Sequence, residues 1–396
     1  MIDEFEPVDA GSARPGAAVL RTRQGRWSLR WELLRKGIAA TFPAWLGAHV
    51  LVFWVSWDIY RSHPLQGLYV WDTQWYWSIA RYGYDAAGGL IHFFPLTSIF
   101  AAGLAAVTRL PVSIALFAFC WAMSLLFGAL VYQLTARETE DPRAALRAAW
   151  LTQLAPGAFV LVMGYTEPLA GVLAVGYFLA VRAPTAGRAR AAWAAVPLGF
   201  LSGIARPTGV LLAIPGAVEG IRAARASGRR PSVIARAVLA AAAPGAGLAS
   251  FLAYSRLRYG SWMLPFTEQV NEANRAAVMN NPLWSLQHVW FHDWRGHGQA
   301  VAVMSALLIT MFALLLVVVW RRLPVSYLAW TAPSFVLAIG SQDFTSLPRY
   351  LGALFPALIG AALLARRPWQ WALTLTAGCA LLIWSAYFAM AGFAVA

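Results

Sequence analysis

The sequence predicts an all-α polytopic membrane protein, and three observations carry that expectation. Of 396 residues, 60% are hydrophobic and only 12% charged, whereas a soluble domain is nearer half apolar and a quarter charged. Apolar runs of about 20 residues, the length that crosses a bilayer core as a helix, recur from Ala40 to the C-terminus. The net charge of +14 rests almost wholly on arginine, with Lys36 the single lysine. These arginines fall in short stretches between the apolar runs, as the positive-inside rule requires of cytoplasmic loops. A basic soluble chain would suggest nucleic acid, but this pattern points to the lipid bilayer as the partner, and no basic-aromatic nucleic-acid module is present.

Residues 1–36 are polar, arginine-rich and interrupted by Gly and Pro, and read as a disordered cytoplasmic tail. No short apolar core with a small-residue cleavage site follows, so the segment is not a signal peptide. The remainder, 37–396, reads as one transmembrane domain. Candidate spans are 37–56, 112–135, 148–164, 168–182, 191–205, 207–222, 236–255, 299–320, 324–340, 348–365 and 369–393. With the N-terminus cytoplasmic, the inner loops are 136–147, 183–190, 223–235, 321–322 and 366–367, each of them basic. The apolar stretch 95–108 is fourteen residues long, short for a span and suited to an interfacial or re-entrant helix. Were it to cross, every later basic loop would face outward. The count is therefore eleven spans, with short helices in the first outer loop. No internal repeat is evident. Cys120 and Cys379 lie inside apolar runs and read as packing residues.

The outer face then collects the chemistry: the first outer loop, 57–111, the turn "GYTEP" (164–168), "ARPTG" (205–209), the long loop 256–298 and the turn "SQDFTSLPRY" (341–350). In "GLYVWDTQWYWSIARYGYD" (67–85), seven of nineteen residues are Trp or Tyr, and they surround Asp72. Trp71, Trp75, Tyr76 and Trp77 fit an interfacial aromatic belt, with Asp72 as N-cap of a short helix ending at Gly83. A carboxylate so placed is also rigidly held, as a general base should be. Glu167 and Arg206 each interrupt apolar stretches. A charge at mid-bilayer costs about 2.5–3.5 kcal/mol on insertion scales, so such residues mark either a cavity or an ion pair tying two hairpins together. Arg349, followed by Tyr350, opens a span at the outer side, where its fork suits an oxyanion or a lipid headgroup.

His288 and His292 are four apart, with Asp293 and His297 nearby. The spacing is not H-E-x-x-H and no Cys joins it, so the stretch reads as a polar surface loop rather than a metal site. No P-loop, dinucleotide fingerprint or nucleophile elbow appears. No metal and no cofactor are expected.

"WDTQWYWSIARYGYD" followed by "FFPLTSIFAAG" resembles the signature of the PIG-V type mannosyltransferases, which add the second mannose in glycosylphosphatidylinositol anchor assembly. The pattern W-D-x-x-[WYF]-[YF]-x-x-I-A-x-x-G-Y, then F-F-P-x-x-P, is met at Trp71, Asp72, Tyr76, Ile79, Ala80, Gly83, Tyr84, Phe93, Phe94 and Pro95, with Ser98 in place of the final Pro. "YTEPLAGVLAVGYFLA", "GIARPTGVLLA", "YSRLRYGSWMLPFTEQ" and "PRYLGALFPAL" are similar to four later family segments, in the same order.

The resemblance implies a GT-C-like bundle, and an enzyme that takes its sugar from a polyprenyl-phosphate donor such as polyprenyl phosphomannose on the non-cytoplasmic side. The acceptor would be a membrane glycolipid or other glycan. Asp72 matches the essential acidic residue of the first outer loop and is expected to be the base, strengthened by partial desolvation among the rings. Arg206 or Arg349 is expected to stabilise the departing phosphate. Trp75 and Tyr76 would stack on sugar faces, and Trp71, Tyr84 and Tyr350 complete the expected substrate contacts, with Glu167 orienting the acceptor. A GT-C enzyme with another sugar or a protein acceptor, and a flippase or transporter of lipid-linked sugar, remain open.

Overall fold

A computed structural model describes residues 15–86, 90–183, 189–270, 281–291, 298–340 and 344–392. The described residues form sixteen α-helices joined by 3-10 turns, with no strand among them. The first half of the chain gives α1 (Pro15–Ile59), α2 (Asp72–Tyr82), α3 (Leu96–Thr108), α4 (Val112–Thr139), α5 (Pro142–Leu154), α6 (Glu167–Val181), α7 (Ala195–Ala205) and α8 (Ala213–Ala226). The second half gives α9 (Pro231–Tyr259), α10 (Leu264–Val270), α11 (Pro282–Phe291), α12 (Gly298–Arg322), α13 (Val325–Ile339), α14 (Leu347–Gly352), α15 (Phe355–Leu364) and α16 (Pro368–Met390).

The architecture is the all-α polytopic membrane bundle that the hydropathy predicts. Five of its helices, within α1, α4, α9, α12 and α16, are long and apolar enough to cross a membrane. The other stretches read as spans are shorter or broken. The 148–164 segment is α5 followed by a 3-10 turn from Pro156 to Leu161. The 348–365 segment is α14 and α15, separated at Ala353–Leu354. Irregular backbone at such depth is tolerated where it is buried in protein or lines a cavity. The helix of α1 begins at Pro15, within the stretch expected to be an unstructured tail.

Local chemistry sets the helix ends. The Asp141 carboxylate accepts from the backbone N–H of Arg143 and Ala144, with Pro142 at the first helical position, and so starts α5. Gly260, at φ 81°, ends α9 in the left-handed conformation. The turn from α3 to α4 passes through Arg109, also left-handed at φ 59°, before Pro111. With thirteen residues, α3 rises only about 20 Å. It lies against the first half of α4, where Phe100 stacks on Phe119 with ring centroids 5.4 Å apart.

At the centre, α6 has no exposed residue, as expected for a helix that is apolar all round. It packs against α4, α7 and α8. Between α7 and α9 the backbones touch. A Cβ on Gly203 would lie 2.1 Å from the Pro244 carbonyl oxygen, and one on Gly247 would lie 1.9 Å from that of Phe200. Small residues that admit such an approach are the usual means of helix association in lipid.

The bundle has two polar poles. At one, where α4 and α6 end, α13 begins and α8 passes by its middle, Arg182 meets both oxygens of Glu138 at 2.6 and 2.7 Å and Glu219 at 2.8 Å. Ser326 donates to the same Glu219 oxygen at 2.6 Å. Arg147 Nη2 donates to the carbonyl of Arg366 at 3.3 Å. Among the described residues, the basic loop after α4 and the Arg321–Arg322 pair before α13 adjoin this pole. The other pole, where α6 and α14 begin and α7 ends, holds the residues singled out as candidates for chemistry.

Candidate active site

Asp72 is the first residue of α2, and its place is set by three unrelated parts of the chain. Its backbone N–H donates to the Tyr165 hydroxyl at 3.2 Å. The next side chain, Thr73, accepts from the Gly164 N–H at 3.2 Å. The preceding residue, Trp71, has φ 55° and ψ −129°, a conformation that a bulky side chain rarely adopts. Its indole N–H donates to the Ala389 carbonyl at 2.7 Å. Strained backbone of this kind persists only where its surroundings over-determine it, and it clusters at functional sites.

Asp72 is the first helical residue rather than the expected N-cap. Trp71 occupies the N-cap position, without a side-chain cap hydrogen bond. Asp72 is 5% exposed, and its Oδ2 accepts from Arg349 Nη1 at 2.7 Å. The expected aromatic nest therefore also contains a cation. That cation is 4% exposed, which excludes the snorkelling role considered for Arg349. Its helix α14 packs on the 156–161 turn because Gly157 has no side chain: a Cβ there would sit 1.9 Å from the Pro348 carbonyl oxygen and 3.0 Å from the Arg349 Cα. Arg349 Nη2 donates to the Tyr350 hydroxyl at 3.1 Å. Its guanidinium carbon lies 4.9 Å from the Tyr350 ring centroid and 5.5 Å from that of Tyr165.

Glu167 opens α6 and is 3% exposed. Its Oε1 lies 3.3 Å from Arg206 Nη1 and 3.4 Å from Arg349 Nε. The ion pair considered from the sequence is present, and Arg349 joins it. Arg206 sits where the chain leaves α7 and enters a 3-10 turn, with extended backbone at φ −167° and ψ 156°. Two carboxylates and two guanidiniums thus form a chain of alternating charge: Asp72, Arg349, Glu167, Arg206.

A cavity of about 490 Å³ opens onto this chain, within the range that holds small-molecule ligands. Asp72, Tyr76, Glu167, Arg206, Arg349 and Tyr350 form its polar end. Gly171 and Ala174 of α6, Val210–Leu212 of the 3-10 turn and Trp330 and Leu337 of α13 line an apolar arm. Burial, with Glu167 nearby, pushes the Tyr76 phenol well above its usual range, so it stays a neutral hydroxyl.

Six of the nine candidate residues are therefore brought together. Three are not. Trp75 is 38% exposed and lies outside the cavity lining, so it does not stand ready to stack on a bound sugar. Trp71 spends its indole on Ala389. The Tyr84 hydroxyl donates to the Phe93 carbonyl, and its ring packs by Phe251 and Tyr254. Tyr165, Thr166, His92, Gln269 and Trp330 belong to the site but were not singled out from the sequence. Tyr165 and Thr166 stood inside "GYTEP", and Gln269 closed the segment "PFTEQ". Nothing distinguished Trp330 among 20 tryptophans. Among the described residues no cluster of three or more His, Cys, Asp or Glu could hold a metal ion. His292, Asp293 and His297 lie outside the described residues, and only the backbone of His288, in α11, is within them.

No protein-family model matches the chain, and no curated protein matches it. Similar solved structures include the oligosaccharyltransferase AglB from Archaeoglobus fulgidus in complex with an inhibitory peptide and a dolichol-phosphate, at 14% identity, TM-score 0.43, 89% of this chain and 56% of that one. The oligosaccharyltransferase of the same organism tethered to an acceptor peptide gives 15%, 0.44, 88% and 55%, and its apo form gives 14%, 0.45, 89% and 56%. The chain spans a little over half the length of these proteins.

Proposed function

We propose that this protein is an integral-membrane glycosyltransferase of the GT-C type. It moves a mannosyl residue from a polyprenyl-phosphate donor to a glycolipid or similar glycan acceptor on the extracytoplasmic face. The observation that carries the reading is a buried carboxylate, Asp72, held by Arg349 at the polar end of a cavity whose other arm is apolar. A lipid-linked sugar has the same two halves. The segments that resemble the PIG-V type mannosyltransferases contain all six polar residues at that end: Asp72, Tyr76, Glu167, Arg206, Arg349 and Tyr350.

The acceptor hydroxyl attacks the anomeric carbon as the bond from that carbon to the phosphate oxygen breaks. The electron pair leaves with the polyprenyl phosphate, and the hydroxyl proton passes to Asp72. A base oriented by a fixed hydrogen bond suits this step. A β-linked donor gives an α-linked product by a single inversion. A guanidinium in the site offsets the charge gained by the leaving phosphate. The basic loops at the opposite pole support a cytoplasmic assignment for that end and an outward-facing cavity.

The test is transfer by purified protein from radiolabelled polyprenyl phosphomannose to a membrane lipid extract. The Asp72→Asn variant is expected to lose about 10²–10⁴-fold in rate, the usual contribution of a positioned base. Full transfer by that variant would overturn the base assignment. Movement of intact donor across vesicles, with no label reaching an acceptor, would replace the enzyme with a carrier.

A further inference from the structure

The charge chain leaves the two arginines in unlike positions. Arg349 is enclosed: its side chain is 4% exposed, Asp72 takes one nitrogen at 2.7 Å, Tyr350 takes another, and Nε has no hydrogen-bond partner among the described residues. Arg206 is the more open, with 16% of its side chain exposed and one ion pair among the described residues, to Glu167 at 3.3 Å. Glu167 stands between them with a single oxygen shared by both, at 3.3 and 3.4 Å. Its other oxygen, Oε2, is buried and has no hydrogen-bond partner among the described residues. A buried carboxylate oxygen left unpartnered is costly, and here the residue faces the cavity.

Resting on the glycosyltransferase reading, we infer that Glu167 is a displaceable counter-ion which hands Arg206 to an incoming phosphate group. Phosphate takes Arg206 through the planar fork that suits oxyanions. Glu167, released, is held by the vacant Nε of Arg349, 3.4 Å away. Arg349 is then shared more evenly between Glu167 and Asp72, so occupation by phosphate reaches the proposed base two residues along the charge chain. The released carboxylate keeps Oε2 for a hydroxyl group of the ligand. Arg206 is thus the phosphate ligand, Arg349 positions Asp72, and Glu167 couples the two.

The sign of one substitution separates this arrangement from an ordinary binding carboxylate or a structural ion pair. Glu167→Gln removes the competitor for Arg206, so farnesyl phosphate should bind the detergent-solubilised full chain more tightly, on the order of threefold to tenfold, while transfer from polyprenyl phosphomannose slows. Arg206→Gln should weaken farnesyl phosphate on the order of tenfold or more. Glu167→Asp, which keeps the charge, should return both affinity and rate toward wild type. Weaker or unchanged farnesyl phosphate binding in Glu167→Gln, or unchanged binding in Arg206→Gln, overturns the inference. Repeating the series with inorganic phosphate identifies the source. The same order of affinities supports recognition of phosphate itself, and the same order with farnesyl phosphate alone supports recognition of a lipid-borne one. If wild type shows no transfer at all, the glycosyltransferase reading fails while the affinity order still decides the role of Glu167.

Discussion

Asp85 and Asp72 show how differently one carboxylate can be used within fourteen residues. Asp85 is exposed and accepts from Arg258 Nη2 at 2.8 Å and from the Tyr259 hydroxyl at 3.1 Å, tying the 84–86 turn to the end of α9. The Arg258 hydrogen bond, with that of Tyr259, holds its carboxyl below the usual carboxylate range. A carboxyl depressed in the folded state stabilises above its unfolded value of about 3.9, and that stabilisation fades as pH falls through the lower folded value. Hydrogen exchange at residues 84–86 is therefore expected to stay constant from pH 7 to pH 5, after correction for intrinsic rates, with loosening only below about pH 4. Loosening already at pH 5 would show that this tie does not hold the turn. Asp72, by contrast, is buried against Arg349. Glu167 and Arg206 were legible in the sequence because charges that interrupt apolar stretches need partners, Asp72 because of its aromatic surroundings, and Arg349 because it opens a span at the outer side. The Glu167–Arg206 pair was legible as well, but the pairing of Asp72 with Arg349 was not, since they are 277 residues apart. Aromatic residues were read less well. Trp and Tyr serve belts, cores and cavities alike, and only packing separated Tyr76, in the cavity, from Trp75, outside it.

Among the helices, hydropathy located every apolar stretch but not the points where helix gives way to other backbone. Arg206 could be placed at a junction because a charge and a proline break the pattern. The break at Ala353–Leu354 has no such mark, since the apolar run continues through it. The expectation that α3 does not cross rests on its length and on the loop charges that follow. Helix contacts were unreadable in detail, although Gly199 and Gly203 have the four-residue spacing of small-residue interfaces. The α7–α9 contact gives a direct test. Gly203→Leu forces a side chain into the Pro244–Gly247 backbone and should lower stability by at least about 1–3 kcal/mol, the range for overpacking. Gly47→Leu, where a Cβ would meet nothing within 4 Å, is the matched control. Thermal unfolding in detergent reads both. Equal melting temperatures would mean that α7 and α9 separate more readily than their packing implies.

Over the whole molecule, the two polar poles divide the work. The Arg182–Glu138–Glu219 cluster joins α4, α6, α8 and α13 at the end remote from the cavity. Removing one member of a buried ion cluster leaves charge uncompensated, typically at about 3–5 kcal/mol. Glu219→Ala is expected to lower the unfolding temperature while leaving farnesyl phosphate affinity within about twofold of wild type, a difference of under half a kcal/mol. A large loss of affinity at unchanged melting temperature would instead place this pole in the binding function. At the cavity pole, the final turn of α16 holds both ends of the segment leading to Asp72. The Tyr60 hydroxyl donates to the Met390 carbonyl and the Trp71 indole to that of Ala389, each at 2.7 Å. Those contacts join residues more than 300 positions apart. In a chain synthesised from its N-terminus, the Asp72 turn is thus inserted early and secured late. The nascent protein cannot lock its proposed base in place until the ribosome has delivered α16.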